Sequence, residues 1–238
     1  MSLLSDTIEK VVTANRILAR EEVVDGFGHV SHRHPTDPGR YLLARSRSPE
    51  LVETGDVLEY TLDGRCIDDK GGMKPYAERF IHGAIYAARP DVTSVVHHHS
   101  YSVVPFTASK VPIRPLMHTT AVIGHEIPVW DIRETFGPDT NMLVTDMDQG
   151  GDLAKRLARH RTVLMRGHGA THAGGTIEDA VVSAIYLQIA ARQQLDALKL
   201  GGEIIYLSKG EIDGQLSPEV LAVAFPRIWE YFCRRAGR

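Results

Sequence analysis

Three consecutive histidines, His97-His98-His99, end a strand candidate that begins at Val92. Side chains alternate across a strand, so His97 and His99 face one side and His98 the other. Two imidazoles at i and i+2 can reach one cation, and zinc, manganese and iron all accept nitrogen ligands. A third imidazole, His168, follows another apolar strand in Met165-Arg166-Gly167-His168-Gly169-Ala170. Its flanking glycines permit the tight backbone that a bound group requires. Glu78 stands where a helix begins. There a carboxylate suits the helix dipole. It is also placed for general acid/base work, or as a fourth ligand displaced by substrate. On these letters alone a metal centre and a polar strand end with a turn histidine both stay open.

The elements that must position these residues are legible as periodic segments. A helix is expected from about Ser5 to Glu22, with Ile8, Val12, Asn15 and Ala19 on one face. Short strands are expected at Val30–His32, Tyr41–Ala44 and Val57–Tyr60, followed by an Asp63-Gly64 turn. A second helix runs from Glu78 to Ala88, with Phe80, Ile81, Ala84, Ile85 and Ala88 as its apolar stripe, and Arg89-Pro90 ends it. Tyr101 to Ala108 reads as a short helix interrupted by Pro105. Met142–Val144 and Thr162–Met165 read as buried strands around a helix near Asp148–His160. Thr176-Ile177-Glu178-Asp179 resembles a capping box and opens a long helix that ends near Leu200, before Gly201-Gly202. The early hairpin-like connections favour a mixed or antiparallel sheet covered by helices over a doubly wound parallel one.

The 238 residues suffice for one α/β domain spanning 1–238, with no internal repeat and no linker. A formal net charge of −3 gives no sign of a dedicated nucleic-acid or membrane-surface protein. Cys66 and Cys233 are too few for a disulfide framework and have no Cys-x-x-Cys spacing, which suits a reducing compartment. No leader-like or bilayer-spanning stretch is read, so a cytoplasmic location is expected. Neither a Gly-x-Gly-x-x-Gly nor a Walker pattern occurs, and no organic cofactor is expected.

Taken together, Glu78-Arg79-Phe80-Ile81-His82, Tyr86-Ala87-Ala88-Arg89-Pro90-Asp91-Val92, Val95-Val96-His97-His98-His99-Ser100 and Arg166-Gly167-His168-Gly169 resemble the class II aldolase/adducin family. The likeness runs from the first helix to about Tyr206. It implies a three-layer α/β/α sandwich around a largely antiparallel sheet. It also implies one divalent ion per subunit (manganese, zinc or iron) on His97, His99 and His168, with Glu78 as acid/base. Members of the family usually form tetramers with active sites at subunit interfaces, so a homo-oligomer is expected.

Departures from the sugar-phosphate aldolase pattern narrow the substrate. Where those aldolases carry small hydroxyls and an amide around phosphate, this chain has Gly28-His29-Val30-Ser31, Ala44-Arg45-Ser46-Arg47-Ser48 and Tyr76-Ala77. Thr119 stands at the position of the aldolase tyrosine. An arginine fork matches a planar carboxylate, and phenol and imidazole planes suit an aromatic ring. The pattern resembles the decarboxylase branch acting on hydroxylated pyridine dicarboxylates and dihydroxyphthalates. The expected reaction is non-oxidative decarboxylation of a small carboxylate, with Arg45, Arg47, Tyr76 and Thr119 binding substrate. Glu78 serves as acid, with His29 or His82 as substitute or partner. An aldolase on a carboxylate-bearing or sugar-phosphate substrate, a metal-dependent oxygenase and a non-catalytic adducin-like interaction protein are the alternatives.

Overall fold

The computed structural model describes residues 2–68 and 71–238. Its centre is a seven-stranded sheet: β1 (His29–Arg33), β2 (Arg40–Ala44), β3 (Val57–Thr61), β4 (Ser94–His98), β5 (Val129–Trp130), β6 (Thr162–Met165) and β7 (Gly169–Gly174). The spatial order is β3-β2-β1-β4-β7-β6-β5. Every pairing is antiparallel except β5 with β6. The helices are α1 (Leu3–Arg20), α2 (Arg79–Ala88), α3 (Val104–Thr107), α4 (Arg133–Phe136), α5 (Met147–Leu157), α6 (Ile177–Leu200), α7 (Lys209–Gln215) and α8 (Pro218–Arg235).

Strand alternation sorts the core into two layers. On one face Val30, Leu42, Ala44 and Val96 pack with Val11, Ile17 and Leu18 of α1 and Val181, Ala184 and Ile185 of α6. On the other, Tyr41, Leu43, Leu58, Val95 and Val163 pack with Ile81 and Ile85 of α2 and Leu153 and Leu157 of α5. Both faces are covered, which is why these strands read as near-continuous apolar runs. The result is the α/β/α sandwich with a largely antiparallel sheet. Leu153 and Leu157 are fully buried, so truncating either to alanine should cost about 2–5 kcal/mol. No helix among the described residues is long and apolar enough to cross a membrane.

Local chemistry fixes the element ends near the site. Thr176 accepts the Asp179 N–H at 3.0 Å and starts α6, and Gly201 closes it in a left-handed conformation at φ 73°. The segment Met142–Val144, expected as a strand, joins no ladder. Met142 has φ 67°, and the Val144 N–H is donated to a Glu78 side chain rather than to a neighbouring strand. Two strands escape the sequence reading. β7 (Gly169–Gly174) lacks large branched side chains, and β5 has two residues. The C-terminal helix α8 is a further element that the sequence reading does not include.

Candidate metal centre

Strand β4 ends at His98, and its alternation sends His97 to the α2 face and His98 to the α6 face. His99 lies just beyond. His168 sits in the turn between β6 and β7, where Gly167 has φ 63°. A Cβ on Gly169 would lie 2.1 Å from the His98 carbonyl oxygen, so only glycine lets this turn close on the histidine strand. Glu78 immediately precedes α2. These four side chains converge, with one ligand atom from each lying within 4.8 Å of all the others.

The hydrogen bonds show which atoms face the centre. His99 Nε2 lies 3.0 Å from His97 Nε2 and 3.0 Å from His168 Nε2. His168 Nδ1 donates to the Met142 carbonyl at 3.0 Å, so its Nε2 carries a lone pair. The Thr171 hydroxyl donates to the Met165 sulfur, leaving its oxygen to accept from His97 Nδ1 at 3.1 Å. His97 Nε2 is then also a lone pair. Tetrahedral zinc with bonds of about 2.0–2.1 Å would separate its ligand nitrogens by roughly 3.3 Å, close to the spacing found. A single proton on His99 Nε2 can serve only one of these two contacts, and a cation among the three nitrogens would satisfy both. The outer Nδ1 bonds are of the kind that orient metal-bound imidazoles. The donor set fits a divalent ion.

Glu78 is buried. Its Oε2 stands 3.5 Å from His97 Nε2 and 3.6 Å from His168 Nε2. Burial opposes its charge, and positive charge at the centre, on the His97 and His168 imidazoles or on an ion that replaces their protons, holds the carboxyl below the usual carboxylate range. Burial depresses His97, against the pull of Glu78. Burial, with His97 and His168 alongside, lowers His99 to about 3.

His29 and His82 form a second buried pair beside this centre. His29 Nδ1 and His82 Nε2 are 2.7 Å apart. His82 Nδ1 lies 2.6 Å from Ser31 Oγ, which lies 2.7 Å from the Tyr86 hydroxyl. The His29 ring is 5.1 Å from that of His97. Burial keeps both imidazoles neutral, His82 being lowered to about 3. On the opposite sheet face His98 Nε2 meets His172 Nε2 at 2.9 Å. The Ser100 N–H donates to His98 Nδ1, and His172 Nδ1 pairs with Thr162 Oγ1. That second pair ties β4, β7 and β6 together behind the centre.

A cavity of about 330 Å³ opens onto the centre, lined among others by Phe27, His29, Arg47, Tyr76, Glu78 and His99. The Tyr76 hydroxyl donates to the Arg47 carbonyl, and burial pushes the phenol up to about 12. Arg47 Nη1 donates to Asp56 Oδ2 at 2.5 Å, and Arg45 Nε to Asp56 Oδ1 at 2.6 Å. One buried carboxylate thus serves two guanidinium groups, and the trio keeps a net positive charge. Arg45 does not line the cavity, because its Nε is held by Asp56 and its backbone bridges to Pro75. Thr119 does not line it either. It lies in the turn His118–Ile123, with its Oγ1 buried and without a partner among the described residues. The sequence reading misses Asp56, Ser31 and Tyr86, whose contacts span 9 to 55 residues.

Comparison with known proteins agrees with the fold. Residues 9–195 match the family described as Class II Aldolase and Adducin N-terminal domain. The decarboxylase tropJ of Talaromyces stipitatus is 30% identical over 248 residues, covering 95% of this chain and 92% of that protein. A 3,4-dihydroxyphthalate decarboxylase of Arthrobacter keyseri is 29% identical over 210 residues, covering 82% of this chain and 80% of that one. Among solved structures, an aldolase II superfamily protein from Pseudomonas syringae superposes with a TM-score of 0.82 at 21% identity, covering 99% of this chain and 94% of that chain.

Proposed function

Because the chain belongs to the class II aldolase and adducin family, we propose that it is a divalent-metal-dependent carbon–carbon lyase that removes carbon dioxide from a hydroxylated aromatic carboxylate. One observation carries this reading. His99 and Glu78 of the three-histidine centre line one cavity with Arg47 and Tyr76, a cationic group and an aromatic ring. The decarboxylases among its relatives support it.

His97, His99 and His168 would hold the ion. When bound, it supplies a Lewis acid that stabilises negative charge on the substrate's hydroxyl oxygen. The remaining work falls to the chain. Arg47, with Nε and Nη2 unpartnered among the described residues, takes a substrate carboxylate, and Tyr76 and His29 flank the ring. Glu78 rests as a carboxylate and first accepts the phenolic proton. As the acid it then delivers that proton to the ring carbon bearing the departing carboxylate. The carbon–carbon bond breaks, its electron pair restores the aromatic ring, and carbon dioxide leaves. Water returns one proton to the phenolate, so the balance is one carboxylate and one proton consumed for one carbon dioxide released. We further propose a homo-oligomer, a tetramer as the family resemblance implies.

The test is a panel of dihydroxyphthalates, hydroxypyridine dicarboxylates and sugar phosphates, assayed with manganese, zinc and iron(II) for carbon dioxide and for aldehyde. Carbon dioxide release from an aromatic acid is the expected result. Aldehyde release from a sugar phosphate, unaffected by Arg47→Ala, would replace the decarboxylase with an aldolase.

A further inference from the structure

Tyr86, Ser31, His82 and His29 form a hydrogen-bonded chain that starts in the interior and ends at the cavity. All four are buried, and Ser31 and His82 are fully so. The direction of this chain follows from counting protons. The Tyr86 phenol stays protonated, since burial raises it well above its ordinary value. Its acceptors are Ser31 Oγ at 2.7 Å and the Thr93 carbonyl at 3.5 Å, a distance too long for a good hydrogen bond. The phenol therefore donates to Ser31. Ser31 has a single proton, and the remaining neighbour at 2.6 Å is His82 Nδ1, which accepts it. A neutral imidazole that accepts at Nδ1 carries its proton on Nε2, so His82 Nε2 donates to His29 Nδ1 at 2.7 Å. By the same rule His29 is left with its proton on Nε2, and His29 lines the cavity.

We infer that Ser31 and Tyr86 are positioning residues that fix His29 as an N–H donor toward an anionic oxygen of the substrate, rather than as a base. The reverse direction would make the Tyr86 phenol rely on Thr93 at 3.5 Å, and it would turn a lone pair of His29 toward an anionic ligand. A proton wire is a different matter. Passing a proton out through His29 would leave a buried phenolate at Tyr86, which burial disfavours. The chain orients without conducting, and Glu78 remains the group that moves protons. The ligand class rests on the aromatic-acid reading above, whereas the direction of the chain does not.

The experiment is nuclear magnetic resonance on the zinc-loaded protein with histidine labelled by the heavy nitrogen isotope. Two-bond proton–nitrogen correlations report each tautomer, and loss of signals in His29→Asn and His82→Asn gives the assignments. The expected result is protonation at Nε2 for both residues. A proton on Nδ1 of His29 overturns the inference. Ser31→Ala removes the donor to His82, and Tyr86→Phe keeps the ring while removing the proton that enters the chain. Both should admit the reverse tautomer at His29, Ser31→Ala more strongly, and Ser31→Ala should weaken phthalate binding roughly 10-fold, as for a misdirected hydrogen bond to a charged group. Unchanged tautomers and unchanged phthalate affinity in Ser31→Ala also overturn it. A wild-type protein with Nε2–H on His29 that binds no phthalate would refute the aromatic-acid reading and leave the chain standing.

Discussion

Glu78 divides its two oxygens, turning Oε2 to within 3.5 Å of His97 Nε2 while Oε1 takes the Val144 N–H at 3.1 Å. Such an outer contact orients a carboxylate whether it holds a metal or moves a proton. The Val144 bond fixes the rotation of the carboxylate, so a proton on Oε2 is presented at the centre rather than to the loop. This geometry suits a group that takes a proton from one substrate atom and returns it to another.

Glu78→Gln keeps the shape and the Val144 contact through its carbonyl oxygen but removes the acid. Turnover should fall by roughly 100-fold or more, as for a lost general acid. Metal content should stay near that of the wild type. Steady-state rates and elemental analysis on the same preparation check both halves, and wild-type turnover would remove Glu78 from the mechanism.

The metal-facing imidazoles should prove indispensable to metal retention. His97→Ala and His168→Ala each delete a nitrogen whose partner Nδ1 is already anchored, by Thr171 and by Met142. Each variant should lose most of its bound metal, in keeping with sites that need three protein ligands. Full metal stoichiometry in both would mean that the ion sits elsewhere.

Much of this centre is readable from the chain, and the unread part has a physical reason. The period of two along β4 separates His97 from His98 on the letters alone, and the glycines beside His168 announce a tight turn. Contacts made by folding alone leave no local trace. Asp56 meets Arg45 and Arg47 across a hairpin, and Ser31 of β1 meets His82 and Tyr86 of the helix α2 packed on that face. Met142–Val144 shows the opposite error. Its apolar letters imitate a strand, but its backbone is spent on the site, with the Met142 carbonyl serving His168 and the Val144 N–H serving Glu78. β7 escapes notice because Gly169-Ala170-Thr171-His172-Ala173-Gly174 trades branched side chains for close approach to β4.

Stability should fall early on acidification. His82 and His172 are neutral when folded, burial lowering each to about 3. In the unfolded chain a histidine titrates near 6.5. Between those values the unfolded state binds more protons, so stability is fully present above about pH 6.5 and is lost as pH falls. Each such histidine contributes a slope of up to about 1.4 kcal/mol per pH unit. Urea denaturation at neutral pH and at steps down to about pH 5 should show this loss above the range where carboxylates titrate. His172→Gln should flatten the slope. A stability that is level between pH 7 and about pH 5 would contradict the neutral buried histidines.

Arg47 and Arg45 should separate cleanly although they share Asp56. Arg47 lines the cavity, and its Nε and Nη2 are unpartnered among the described residues, whereas Arg45 spends its Nε on Asp56 away from the cavity. A desolvated charged hydrogen-bond pair contributes on the order of a few kcal/mol, so Arg47→Ala should weaken binding of an aromatic dicarboxylate roughly 10- to 1,000-fold. Arg47→Lys keeps the charge without the fork and should recover only part of that loss. Arg45→Ala removes one of the two cations holding a buried carboxylate. Its effect should fall mainly on stability, with a smaller change in affinity. Asp56→Asn removes the shared anion and should leave both guanidinium groups less constrained. Titration calorimetry with phthalate on the four variants, beside urea melts, distinguishes these roles. Equal affinity losses from Arg45→Ala and Arg47→Ala would mean that the pair binds as a unit and that the cavity wall does not single out Arg47.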